Sequence, residues 1–316
     1  MVSFRYHLVS LIAVFMALAT GILVGSSLLN QSLIDSQRST ISQQQTEKDN
    51  LRRDLDTARN EVAYRNSYLD ALDERLLTGR LAGQRVLLVT MPGAAGGDAD
   101  GLTEILGKAG ARVTGRLGIS ENWFATDEDD GDGAATARAR EEIVRKHAIP
   151  ELRGQPAAVQ LAGALLTKGG ADRAVAPTAK TFLEQLDRGG FLSRNNLADR
   201  ADLAVILLAT PADPTPTTPD RVARGIPALA AALDAAGNGV VVAAPTKAAT
   251  GGVMAAIRKD NTTRRTISTV DTVEAVFGRM ALVFALVEQM SGGAGHYGAA
   301  TDSDAPLPPE PTPGRR

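Results

Sequence analysis

"QRVLLVTMPGAAGGDADGLTEILGKAGARVTGRLGI", Gln84–Ile119, holds the alternation that decides the fold. "RVLLVTMPG" is a short apolar run that ends in a turn. "LTEILGKAGA" has the wider apolar spacing of a helix, and "ARVTGRLGI" is extended again. Strands that are apolar nearly throughout and alternate with helices predict a mainly parallel sheet covered on both faces. The pattern continues downstream. "DLAVILLAT", "GVVVAAP" and "RTISTV" read as three more strands, separated by the helical "PDRVARGIPALAAALDAAG" and "AATGGVMAAIRKDN". The stretch from Glu121 to about Leu192 reads as mainly helical, with an acidic glycine-rich loop, "DEDDGDG", at Asp127–Gly133. The closing "DTVEAVFGRMALVFALVEQM" is apolar but contains Glu274, Arg279 and Glu288, which place it on the domain and not in a membrane. The expected fold class is α/β, with a Rossmann-like doubly wound domain over 83–291.

Upstream, the 22 uncharged residues "LVSLIAVFMALATGILVGSSLL" (8–29) follow a short N-terminal tail (1–7). At ~1.5 Å per residue they reach across a hydrocarbon core of ~30 Å. "ALA" before Thr20 imitates a signal-peptide cleavage site. The apolar run nevertheless resumes at Ile22, Leu23, Val24, Leu28 and Leu29, beyond the ~7–15 residues of a cleaved core, which favours an anchor. Ala13, Ala17, Gly21 and Gly25 recur four apart on one helix face, the small-residue spacing that lets two membrane helices approach closely. Arg5 lies on one side of the span and Arg38 and Lys48 on the other, so charge alone does not orient it. A single apolar segment at the start of a chain commonly acts as an export signal, and the expected location of the remainder is extracytoplasmic.

A seven-residue repeat follows over 30–79. Ile34, Ile41, Lys48, Leu55, Val62, Leu69 and Leu76 take position a, and Gln37, Gln44, Leu51, Ala58, Arg65 and Leu72 take position d. A sustained heptad without proline predicts a left-handed coiled coil. β-Branched residues at several a positions, with leucine at some d positions, lean toward two parallel strands. The expectation is a homodimer whose seam includes Ile34, Ile41, Lys48, Leu51, Leu55, Val62, Leu69, Leu72 and Leu76. A parallel coil beside the membrane also brings the faces bearing Gly21 and Gly25 together.

Composition narrows the chemistry. A net charge of -2 lacks the basic footprint of nucleic-acid binding. With no cysteine in 316 residues, disulfides, thiolate metal sites and cysteine nucleophiles are all excluded. Three histidines, His7, His147 and His296, are far apart in sequence. "MPGAAGGDAD" is glycine-rich before a helix but lacks the GxGxxG spacing and the P-loop lysine, so a degenerate nucleotide site is the lesser reading there. The acidic loop fails the calcium-loop register, since Ala139 stands where a bidentate glutamate is needed. No GxSxG or HExxH occurs, and the expectation is a non-enzymatic protein without a resident cofactor. Copper(I) favours thiolate and thioether ligands, and the six methionines form no MxM or MxxM pair. The strands are also too short and apolar for an outer-membrane barrel. Residues 292–316 read as a Gly/Pro-rich disordered tail. Within it "GGAGHYG", carrying His296 and Tyr297, is unusual and suggests docking on the domain or a partner.

The N-terminal "MVSFRYHLVSLIAVFMALATGILVGS", the heptads and the C-terminal "VDTVEAVFGRMALVFALVEQMSGGAGHYG" together resemble the actinobacterial MctB family, described as copper-transport outer-membrane proteins. That family includes SteB, a membrane-anchored cell-division protein that dimerises through its coil. SteB works with a membrane partner, SteA, to regulate a coiled-coil peptidoglycan hydrolase. The resemblance therefore implies two functions. The anchor, heptads and motif-free α/β domain favour a SteB-like, non-enzymatic scaffold of cell-wall hydrolysis, with a SteA-like protein and such a hydrolase as partners. The alternative is copper transport or homeostasis in the cell envelope, and copper enters only under that reading.

Overall fold

The computed structural model describes the backbone of residues 4–129, 131–169, 174–210, 220–249 and 251–309, and the side chains of these except 4, 5, 26–36 and 220. The first element is α1 (Phe4–Leu77), an uninterrupted helix of 74 residues. The chain divides into two compact units between Arg65 and Asn66, so the two parts of α1 belong to different units. In the first unit, i,i+3 and i,i+4 pairs such as Arg52–Asp49 and Arg65–Glu61 decorate the helix. Such exposed pairs contribute only ~0.3–0.5 kcal/mol each. In the second unit the last turns of α1 join the α/β domain. Leu77 is fully buried, and buried Asp73 accepts a 2.8 Å hydrogen bond from Lys108 Nζ.

The domain runs through β1 (Arg85–Thr90), α2 (Gly96–Lys108), β2 (Arg112–Ile119), α3 (Asp132–Lys146), α4 (Ala157–Leu165) and α5 (Pro177–Arg188). It continues with β3 (Leu192–Asn195), β4 (Leu203–Leu207), α6 (Asp220–Ala236), β5 (Val240–Ala243), α7 (Gly252–Lys259) and α8 (Thr263–Thr266). β6 (Ile267–Val270), α9 (Val276–Met290) and β7 (His296–Tyr297) complete it. The described strands form one sheet in the order β3-β2-β1-β4-β5-β6-β7, parallel except for β3, which runs antiparallel to β2. Side chains alternate between two cores, as the period of a strand requires. Leu87, Val89, Ile206 and Val242 pack with residues of α4, α5, α6 and α7, such as Leu161, Phe182, Leu229 and Met254. Val86, Leu88, Val205 and Val241 pack with α2, α9 and Leu77 at the end of α1. The doubly wound expectation holds, and the five strands expected from the sequence are present.

Two strands were not expected. β3 emerges from the stretch read as mainly helical, because "LSRN" pairs antiparallel along Arg116–Ile119 of β2. Its polar residues suit an edge strand but carry no strand periodicity of their own. β7 lies in the segment read as a disordered tail, which requires a correction. Among the described residues, 292–309 belong to the domain: His296 and Tyr297 are buried, and β7 pairs in parallel with β6. Residues 310–316 lie outside the described residues.

Arg85 and Asp202 tie the central strands together where both begin. The carboxylate accepts from Arg85 Nη2 at 2.5 Å, Nε at 3.0 Å and the backbone N–H at 3.1 Å. The backbone N–H of Asp202 donates to Arg85 O, and Asp202 O accepts from Asn238 N just before β5. Hydrogen bonding to Asp202 raises the Arg85 pKa further, so the guanidinium stays charged. Asp202→Asn leaves a buried guanidinium without its counter-charge and is expected to cost about 3–5 kcal/mol in urea unfolding, whereas Arg85→Met with Asp202→Leu recovers most of that loss.

Candidate functional site

The segment read as a membrane anchor lies in the N-terminal part of α1. Tyr6–Gly25, 20 residues of mean hydropathy 2.5, is the helix among the described residues that is long and apolar enough to cross a membrane. Thr20, the residue after the cleavage-like "ALA", donates its hydroxyl to Met16 O at 2.7 Å, so its polar group is satisfied within the helix. A Cβ added at Gly21 or Gly25 would meet nothing within 4 Å, and Ala13 and Ala17 are exposed. The small-residue face therefore has no packing role within this single chain.

The heptad residues fall into four groups. Ile34 lies outside the described side chains. Ile41, Lys48, Leu51, Leu55 and Val62 form an exposed stripe, with Leu51 63% and Val62 54% exposed. Leu69 and Leu72 are half-buried, and Leu69 packs against the core beneath α2 and α9. Leu76 is 42% exposed. The expected seam thus changes character within its own length. Leu69 is engaged by the chain's own domain, while the a and d positions from Ile41 to Val62 are exposed. Strand number and coiling remain matters of assembly.

A Cβ added at Gly96 or Gly97 of the glycine-rich loop would meet nothing within 4 Å, but the next glycine along α2 faces a neighbour. A Cβ at Gly101 on α2 would run into the guanidinium of Arg279 on α9. That guanidinium donates to the carbonyls of Val273 and Glu274. The glycine leaves room for the Arg279 side chain between α2 and α9. In the acidic loop, Asp129 caps the N–H of Thr126 at 2.9 Å, Asp127 lies 3.9 Å from Arg138, and Asp130 falls outside the described residues. Among the described residues no group of three His, Asp or Glu side chains is placed to hold a metal ion. Met91, Met254 and Met280 are core residues, Met16 is exposed on the apolar helix, and Met290 is 40% exposed.

The densest polar constellation lies where the tail meets the sheet, and apart from His296 and Tyr297 the sequence reading missed it. Asp271, fully buried just beyond β6, accepts from Arg258 Nη2 at 3.1 Å, Ser303 Oγ at 3.1 Å and Ala299 N at 2.6 Å. Arg258, 2% exposed, also donates to Asp302 Oδ1 at 2.5 Å and to Thr269 Oγ1 at 3.0 Å. Because Thr269 Oγ1 accepts from Arg258, its own proton is directed to His296 Nδ1, 2.9 Å away. His296 is then the neutral Nε2–H tautomer, and its buried Nε2 has no partner among the described residues. Asp304 receives the His296 N–H and an Arg264 Nη2 bond at 2.7 Å. Tyr297 donates to Glu288 at 2.7 Å, and burial first, then that carboxylate, pushes the phenol pKa upward. Thr272, a β-branched residue at φ 68°, turns the chain directly after Asp271. Together these contacts strap residues 296–305 across the sheet edge, with Ala305 bridging to Tyr297.

Comparison with known proteins places this architecture. The family model described as "Copper transport outer membrane protein, MctB" matches residues 1–308, and the chain belongs to that family. Proteins named copper transporter MctB from Mycobacterium bovis and Mycobacterium tuberculosis are each 29% identical over 314 residues, covering 94% of this chain and 96% of the relative. The protein of that name from Mycobacterium leprae is 27% identical over 322 residues, with the same coverage. These names carry copper transport and give the cell-division expectation no support.

The strap makes stability depend on pH. Burial chiefly, together with the charges of Arg264 and Arg258 and against the pull of Asp304, lowers the His296 pKa below its ordinary value. The unfolded chain therefore takes up a proton as pH falls through ~6.5 while the folded chain resists it, so stability is present above that pH and lost below it. Thermal unfolding between pH 8 and pH 5.5 is expected to show a Tm that falls below pH 6.5, with a shallower fall in His296→Gln.

Proposed function

Proceeding from membership of the MctB family, we propose that this chain is a single-pass envelope protein that acts in copper handling. Tyr6–Gly25 is its anchor, and the α/β domain is extracytoplasmic. The observation that carries this reading is the extent of the match: the family model spans anchor, long helix and sheet domain together, residues 1–308. The relatives that share this whole layout are named copper transporters.

The chain contributes organisation more than chelation. Soft copper(I) calls for thiolate or thioether ligands. The sequence has no cysteine, and three of its methionines are buried in the packed cores. In this reading copper is cargo of an assembly that the protein anchors and spaces, and the chain performs no enzymatic step. The exposed stripe from Ile41 to Val62 supports assembly as a parallel homodimer, since burying one leucine-sized side chain is worth ~1.5–3 kcal/mol. The same dimer brings the Ala13, Ala17, Gly21 and Gly25 faces into contact within the membrane. That stripe is also the one feature favouring the second reading, a scaffold for a SteA-like protein and a coiled-coil hydrolase, because another helix can occupy it.

Two measurements test these readings. Deletion of the gene is expected to raise cell-associated copper and copper sensitivity, with restoration by the wild-type chain; a septation defect at unchanged copper content would favour the scaffold. Leu55→Asp with Val62→Asp is expected to convert the purified full-length protein from dimer to monomer in analytical ultracentrifugation while leaving the domain folded. A dimer that persists in the double variant would remove the coil from the model.

A further inference from the structure

On the carboxyl-end side of the sheet a cleft of about 530 Å³ opens where the connection following β2 meets α4 and the start of α6. Open α/β sheets bind ligands outside the carboxyl ends of their strands, and sites for small molecules run ~300–1,000 Å³. The wall is aromatic, built from Trp123 and Phe124 of the 3₁₀ turn Glu121–Phe124, both nearly buried, beside Ala157 and Ala158. The rim is cationic. Arg140, Arg221 and Arg224 line it against one acid, Glu141.

These arginines are not equivalent. Arg140 is committed to the protein: it lies 5.8 Å from the Trp123 ring centroid and donates to the carbonyls of Trp123 and Ala125 and to Glu141. It stiffens the aromatic wall. Among the described residues Arg221 and Arg224 are less committed. The Nη2 of Arg221 stands 3.7 Å from Glu121, beyond hydrogen-bond reach, and its buried Nε has no partner among the described residues. Arg224 is exposed and is in no ion pair among the described residues. Both sit in the first turns of α6, where the helix dipole is already positive and an anion is favoured. Gly225 brings them to the wall, because a Cβ there would overlap the Phe124 ring and lift α6 away.

We propose that this cleft is a binding site for a small amphiphilic anion, its planar or apolar body against Trp123 and Phe124 and its carboxylate or phosphate between Arg221 and Arg224. The site stands apart from the copper reading and does not depend on it. Charge-assisted bonds from two guanidinium groups supply both attraction and orientation. The aromatic wall rejects anions that have no apolar body.

Trp123 is the sole tryptophan of the chain and serves as reporter. The full-length protein in non-ionic detergent is titrated with 4-nitrobenzoate, a quencher of indole emission, and with its neutral isostere 4-nitrobenzamide. Saturable quenching by the anion, roughly ten-fold or more tighter than by the amide, is expected. Arg221→Glu with Arg224→Glu, both at solvent-accessible positions, is expected to abolish that preference while the unfolding midpoint stays unchanged. Quenching that does not saturate, that is equal for the two probes, or that is unaltered in the double variant overturns the proposal.

Discussion

The buried pair of Arg85 and Asp202 stands where the two central strands begin, and the arrangement of the domain depends on it. Three hydrogen bonds to one carboxylate hold β1 beside β4, although 117 residues separate the partners in sequence. With those strands in place the chain winds outward in both directions, through β2 and β3 on one side and β5, β6 and β7 on the other. A pair so thoroughly desolvated stabilises only while both members are present, because either charge alone inside the protein is costly. The helices on each face take their positions from the strands it aligns.

The sheet manages its two ends by different physical means. β3 closes one side with a short antiparallel strand that buries Leu192 and turns the polar Ser193 and Asn195 outward. The other side ends in β7, two residues long, and is covered by the strap that Asp271 holds through Arg258, Ser303 and the backbone of Ala299. An uncovered parallel edge would present free N–H and C=O groups to other chains. The strap keeps this edge of the sheet within the chain's own fold. The burial of Asp271, Arg258 and His296 in one network also explains why so polar a cluster is tolerated: nearly every donor and acceptor is matched.

Sequence and structure agree where a signal is local and disagree where it is not. The apolar N-terminal helix, the five apolar strands and the helices between them were legible because hydrophobic spacing follows from the geometry of each element alone. β7 was illegible because two residues have no periodicity, and the glycines and prolines around them looked like disorder. Gly101 carries no motif of its own, and what fills the space beside it is the guanidinium of Arg279, which arrives from α9 far along the chain. Leu69 fits the heptad perfectly by count, yet it packs on the domain, since periodicity cannot say which surface an apolar face will meet.

The sequence by itself determined the order of the parts: an apolar span, a seven-residue repeat without proline, and alternating strands and helices that demand a sheet covered on both faces. It also determined that thiol chemistry is absent. Only the tertiary structure decided which polar residues belong together. The Asp271 network gathers Arg258, Thr269, His296, Asp302 and Ser303 from separate segments, and the cleft gathers Trp123, Arg221 and Arg224 from the connections after different strands. Such sites are made by the crossover connections of the sheet. Their members are neighbours through the fold and not through spacing, so no local pattern in the chain can announce them.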